Sequence, residues 1–124
     1  MNTMSAVHHR WEDIPIEQIN SSISRRYISA DRFTVARFDL KRGGVVPEHA
    51  HENEQFTIVL SGALRFHLEG TAVLVKSGEA LQIPSGLAHE AEVVEDASVI
   101  DIFSPVRQDW IDKTDDYFRR DRPA

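Results

Sequence analysis

The sequence predicts an all-β protein, a single small barrel or sandwich built from short strands. Three observations carry that expectation. Apolar residues alternate with polar ones in short runs, the period of a half-buried strand. The runs are closed at regular intervals by turns rich in glycine, serine and proline. Hydrophobic residues make up 41% of a 124-residue chain, which suits one core and leaves no length for a second.

Residues 1–24 read as an N-terminal arm with a short helical or irregular stretch, whose Trp11, Ile14, Ile16 and Ile19 pack against a body. From Arg25 onward the period is two, and residues 25–106 read as the barrel. Arg25, Arg26 and Tyr27 fit a plain edge strand, with the alternative that they reach a pocket if the N-terminal segment folds over the barrel. Phe33 and Val35, with Ala36 and Phe38 on the other face, mark the next strand, closed by Lys41-Arg42-Gly43-Gly44. Residues 57–60 form another, ended by Ser61-Gly62. Leu64, Phe66 and Leu68 then alternate with Arg65, His67 and Glu69. Val73 and Val75 precede Lys76-Ser77-Gly78, and Leu81 and Ile83 lead into Pro84-Ser85-Gly86. Runs at 91–94 and 99–103 complete the set. Phe38, Phe56, Phe66 and Ile83 are the core candidates. In residues 107–124, Trp110, Ile111, Tyr117 and Phe118 stand among charges, which predicts a short helix docked on the barrel and a tail.

The formal net charge is −6 with both signs interspersed, which argues against nucleic-acid or acidic-membrane partners. No apolar run is long enough to span a bilayer, and the first residues lack the apolar segment of a secretory signal. A cytoplasmic protein is the expectation. Cysteine is absent, so any metal must be held by histidine, carboxylate or amide groups.

The stretch His49-Ala50-His51-Glu52-Asn53-Glu54-Gln55-Phe56 concentrates such groups. On a strand, alternate side chains share a face, so His49 and His51 project together, with Asn53 and Gln55 on the same parity. Glu54 has the opposite parity and points away unless a bulge intervenes. A third histidine, His89, follows the tight turn at Pro84-Ser85-Gly86. Three imidazoles and one oxygen donor inside a barrel suit a first-row divalent ion. His67, between Arg65 and Glu69 on a polar face, reads as solvated, and His8 and His9 as incidental.

These two stretches resemble the paired signature of the cupin superfamily. Its first motif runs G-x5-H-x-H-x3-E-x6-G, matched by Gly43, His49, His51 and Gly62, with Gln55 where glutamate is expected. Its second runs G-x5-P-x-G-x2-H-x3-N, matched by Gly78, Pro84, Gly86 and His89, with Val93 in place of asparagine. The resemblance spans roughly residues 30–105. It implies a single-domain jelly-roll β-barrel holding one divalent transition metal (Ni, Zn, Fe or Mn) on His49, His51, Gln55 and His89. A neutral glutamine beside three neutral imidazoles leaves the ion its full charge, and so a stronger Lewis acid than a carboxylate-containing site.

A second constellation lies at residues 101–110. Val99, Asp101 and Phe103 share a strand face, which turns Asp101 into the barrel if His89, Ala91 and Val93 face inward. Arg107 follows at a barrel mouth, with a guanidinium fork suited to a carboxylate. The alternative is a simple Asp101–Arg107 ion pair on the surface. With the metal motif, the Asp-x-Phe-x3-Arg pattern is similar to small cupins of the KdgF type, which open 4,5-unsaturated uronates to linear keto sugar acids. That resemblance implies Asp101 as the acid/base group, Arg107 as the carboxylate binder and Phe103 as a pocket wall. The substrate expected is a small sugar acid or related carboxylate. Two other readings stand beside it: a different cupin enzyme, such as an iron dioxygenase or small-acid lyase, and a non-catalytic metal- or sugar-binding module. Open edge strands in so small a barrel predict a homodimer, with Tyr27, Ile28 and Trp11 near the contact.

Overall fold

The computed structural model describes residues 5–115. Its strands are β1 (Glu17–Gln18), β2 (Ile23–Ser29), β3 (Thr34–Leu40), β4 (Val45–His49), β5 (Glu54–Leu68), β6 (Thr71–Lys76), β7 (Ala80–Ile83) and β8 (His89–Ser104). A 3-10 turn at Trp11–Asp13 precedes them, and one short helix, α1 (Gln108–Ile111), follows. Every strand pairing among them is antiparallel. Among the described residues no helix is long and apolar enough to cross a membrane.

Two long strands organise the molecule. The first half of β5 pairs with β7 and the second half with β6, while the second half of β8 pairs with β3 and the first half with β4. β5 and β8 also pair with each other along both halves. One layer is therefore β1-β2-β3-β8-β5-β7 and the other β4-β8-β5-β6, with the long strands passing from one to the other. This is the double-sheet jelly roll, all-β as expected. The core between the layers includes Ile23, Phe38, Leu64, Phe66, Val75, Ile83 and Val99.

The long strands differ from the sequence expectation, which split each of them in two. Ser61-Gly62 reads as a chain reversal but acts as a bulge: the β5–β8 register shifts around Ser61 and Ala63, and Gly62 takes φ +81°. An extra residue in one strand bends it without reversing it. Phe56 is a second correction. It is 41% exposed rather than buried, because the parity that turns Gln55 inward turns Phe56 outward.

The stretch expected as an arm contributes β1, which pairs with β2 at Glu17↔Arg25, and buries Ile19 in the core. Ile16, expected to pack, is 60% exposed. Arg25 is not on a plain edge strand: it is fully buried, paired with Asp115 and Glu17, and its guanidinium lies over the Trp110 ring. Trp110 is the side chain by which α1 closes that end of the barrel. It meets Tyr27, Phe38 and Phe103 edge-on. Ile111 stays exposed, and the expectations for Tyr117 and Phe118 fall outside the described residues.

Candidate functional site

Three histidines converge at one end of the barrel. His49 is the last residue of β4 and His89 the first of β8, and the two face each other across the ladder. His51 lies past the end of β4, so a shared strand face is not what aligns it with His49. The following loop does that. The His51 carbonyl accepts the Gly86 amide, the Glu52 carbonyl accepts the Ser85 hydroxyl, and buried Asn53 donates to the Pro105 and Val106 carbonyls. The sequence marked Asn53 only by parity; its role as a bracket depends on a segment 52 residues away.

The three rings are oriented alike. Nδ1 of His49 faces the Pro47 carbonyl at 2.9 Å, that of His51 faces Asn53 at 3.0 Å, and that of His89 faces Leu87 at 2.8 Å. A carbonyl only accepts, so each Nδ1 carries the hydrogen and each Nε2 keeps its lone pair. Ligand nitrogens of the three lie within 4.8 Å of one another, a grouping that could hold a metal ion. Nε2 of His89 is buried and has no hydrogen-bond partner, as expected of an atom whose partner is an ion. Burial pushes His49 and His51 down to about 4 and lowers His89 as well. At neutral pH all three are uncharged, the form that ligates a metal. The residues present fit a divalent ion.

Gln55 and Glu54 are separated by strand parity. Gln55 is buried, with Oε1 3.1 Å from His51 Nε2 and its amide NH2 donating to Thr57 Oγ1 at 3.0 Å. Glu54 points outward and accepts a hydrogen bond from Gln82. The Thr57 hydroxyl donates in turn to Asp101 Oδ1 at 2.6 Å. Thr57 escaped the sequence reading, although its parity with Gln55 places it on the inner face.

Asp101 stands on the inner face of β8, opposite Ala36 and Thr57, and burial raises it to about 6 despite the Thr57 hydrogen bond and the charge of Arg107. Arg107 is 1% exposed. Its Nε and Nη2 donate to both oxygens of Asp109, and its guanidinium lies 4.6 Å over each of the Phe103 and Trp110 rings. Asp101 and Arg107 are therefore not a surface ion pair. His49, Gln55, His89, Asp101, Phe103 and Arg107 line one cavity, which continues into an apolar floor of Phe38, Leu64, Phe66 and Val99. His67 lies outside it, half exposed and hydrogen-bonded to Glu92.

The fold and the two histidine-bearing segments define the class: a family model for the cupin domain matches residues 36–103, and the chain belongs to that family. It is similar to the pectin degradation protein KdgF of Dickeya dadantii (strain 3937), at 27% identity over 103 residues, covering 81% of this chain and 94% of that protein. The structure of KdgF from Halomonas sp. superposes with a TM-score of 0.74 at 29% identity, over 80% of this chain and 94% of that one. An RmlC-like cupin from Shewanella frigidimarina NCIMB 400 superposes at 0.79 with 23% identity, over 86% and 96%, a likeness of fold alone.

Proposed function

We propose that this protein is a metal-dependent isomerase that opens the ring of 4,5-unsaturated uronates, the sugar acids left by lyase cleavage of pectin or alginate. One observation carries the reading. Three like-oriented imidazoles converge beside an amide oxygen, and two of them, His49 and His89, line one cavity with Gln55 and the buried Asp101 carboxyl. The likeness to two KdgF proteins, one of them named for pectin degradation, points the chemistry toward uronates.

In this reading His49, His51, Gln55 and His89 hold the ion, which when bound supplies a positive charge against which negative charge on substrate oxygen is stabilised. The reaction is an isomerisation that needs no oxidant or reductant. The hydroxyl proton at the anomeric carbon is removed, the bond from that carbon to the ring oxygen breaks, and the enolate released is protonated on carbon to give the ketone. Asp101, raised to about 6, is matched to accept a proton from oxygen and return one to carbon near neutral pH. Thr57 holds the carboxyl by one oxygen. Arg107 offers its charge to the substrate carboxylate while Asp109 and the Phe103 and Trp110 rings keep the guanidinium in place. Phe103 walls the pocket, and the apolar floor limits water around the reacting end.

The test is incubation of metal-loaded protein with an unsaturated uronate, followed at the enol-ether absorbance. The expected result is loss of that absorbance without oxygen uptake. His51→Ala should lose metal and activity together. Oxygen consumption, or a ligand bound and returned unchanged, would replace this reading with the dioxygenase or the binding module.

The assembly proposed with it is a homodimer formed by the outer face of the larger layer. Ile28, Val35, Ile102 and Phe56 stand side by side across β2, β3, β8 and β5 on that face. Tyr27, expected near the contact, turns inward onto Trp110 instead.

A further inference from the structure

We propose that Thr57 is a positioning residue for the metal site: its hydroxyl, committed to Asp101, holds the Gln55 amide with the oxygen, and not the NH2 group, toward the histidines. The inference rests on the metal reading above and extends it to a side chain that touches no ion.

An amide side chain has nearly the same shape when turned end for end, so only its hydrogen-bond partners choose which end faces the ion. Thr57 has a single hydroxyl hydrogen, and at 2.6 Å it is given to Asp101 Oδ1. What Oγ1 then offers Gln55 is lone pairs, and the amide answers with its NH2 at 3.0 Å. That choice leaves Oε1 pointing the other way, 3.1 Å from His51 Nε2. Nε2 is also an acceptor, since the ring hydrogen sits on Nδ1 against the Asn53 carbonyl. Two acceptors brought face to face in a buried site repel unless a cation satisfies both. Gln55 and Thr57 are 5% and 1% exposed, so the amide side of the contact is shielded from bulk water.

Removing the hydroxyl changes the preference. With valine at 57 the NH2 group loses its acceptor. The amide then gains by turning over, donating to His51 Nε2 and withdrawing two lone pairs from the site at once. Serine at 57 keeps the hydroxyl. Glutamate at 55 presents an oxygen whichever way it turns, and so makes Thr57 dispensable for orientation.

The experiment uses the full chain and Co2+ alone, with affinity read by chelator competition and geometry by the visible ligand-field bands. Outer groups that orient metal ligands typically contribute about 10–100-fold in affinity, and Thr57→Val should lose about that much and alter the bands, with Thr57→Ser close to the parent. Thr57→Ala serves as the second variant if valine prevents folding. In a Gln55→Glu background, Thr57→Val should cost markedly less. Unchanged affinity in Thr57→Val, or an equal loss in both backgrounds, overturns the assignment while leaving the metal reading in place. A parent protein that binds no Co2+ overturns both.

Discussion

Asp101 is a carboxyl that a barrel interior would normally exclude, and its ionisation opposes that of the histidines above it. In the folded protein it holds its proton up to about pH 6, whereas an unfolded chain loses it near 3.8. The folded state binds more protons in that window, so this group makes stability fall as pH rises through it. His49 and His51 act in the other direction. Ordinarily near 6.5 and lowered to about 4 by burial, they bind fewer protons when folded, so their contribution is lost as pH falls from 6.5 toward 4. Two imidazoles shifted down, with His89 moved the same way, outweigh one carboxyl shifted up. Metal-free protein should therefore lose stability on acidification across that range, as read by urea unfolding at a series of pH values. Asp101→Asn should steepen the loss and raise stability above pH 6. If its slope matches the parent's, the carboxyl titrates at its ordinary value. In the uronate assay the same substitution should cost about 10²–10⁴-fold in turnover with metal content intact, the usual contribution of a general acid–base group. Parent-rate turnover by the folded, metal-loaded variant would end that assignment.

At the scale of elements, the bend in β5 is what lets one strand serve both layers. Gly62 takes φ +81°, and a Cβ there would overlap the Asp96 carbonyl and Ala97. Gly70, in the β5–β6 turn, has a similar φ of +73° but open space around its missing Cβ. Gly70→Ala should then cost only the backbone term of about 1–2 kcal/mol. Gly62→Ala adds a collision with main chain that nothing flexible can absorb, and should exceed about 3 kcal/mol. Paired denaturant titrations check the ordering, and equal losses would mean that the bend tolerates a side chain. The same bend explains why β5 reads as two strands in the sequence. A serine-glycine pair reads alike whether it reverses the chain or bulges it, and only the partner strand decides.

For the molecule as a whole, the proposed dimer rests on the apolar row at Ile28, Val35, Ile102 and Phe56, a patch that a twofold axis can set against its own copy. Light scattering at micromolar concentration should return twice the 14.1 kDa chain mass. Phe56→Glu, which puts a charge in a row already 41% exposed at that position, should shift the mass to that of one chain. A parent protein that runs at the single-chain mass would count against the dimer.

The sequence by itself determined the all-β class, the turns at Gly43 and Gly78 and the separation of Gln55 from Glu54, while it left Asp101 open between the barrel interior and a surface pair with Arg107. What it determined follows from local rules: a period of two, and the backbone freedom of glycine. Tertiary structure decided the rest. His51 is aligned by the 84–87 turn and by Asn53 reaching Pro105, and Arg107 is buried in the cavity wall against Asp109 and Trp110. Arg25 is drawn inward by Asp115, a partner 90 residues away. The orientation of an amide, the burial of a cation and the difference between a bulge and a turn depend on groups that arrive from distant parts of the chain. No local period encodes which of them will meet, because each pairing is fixed only when β5 and β8 close the two layers over a common core.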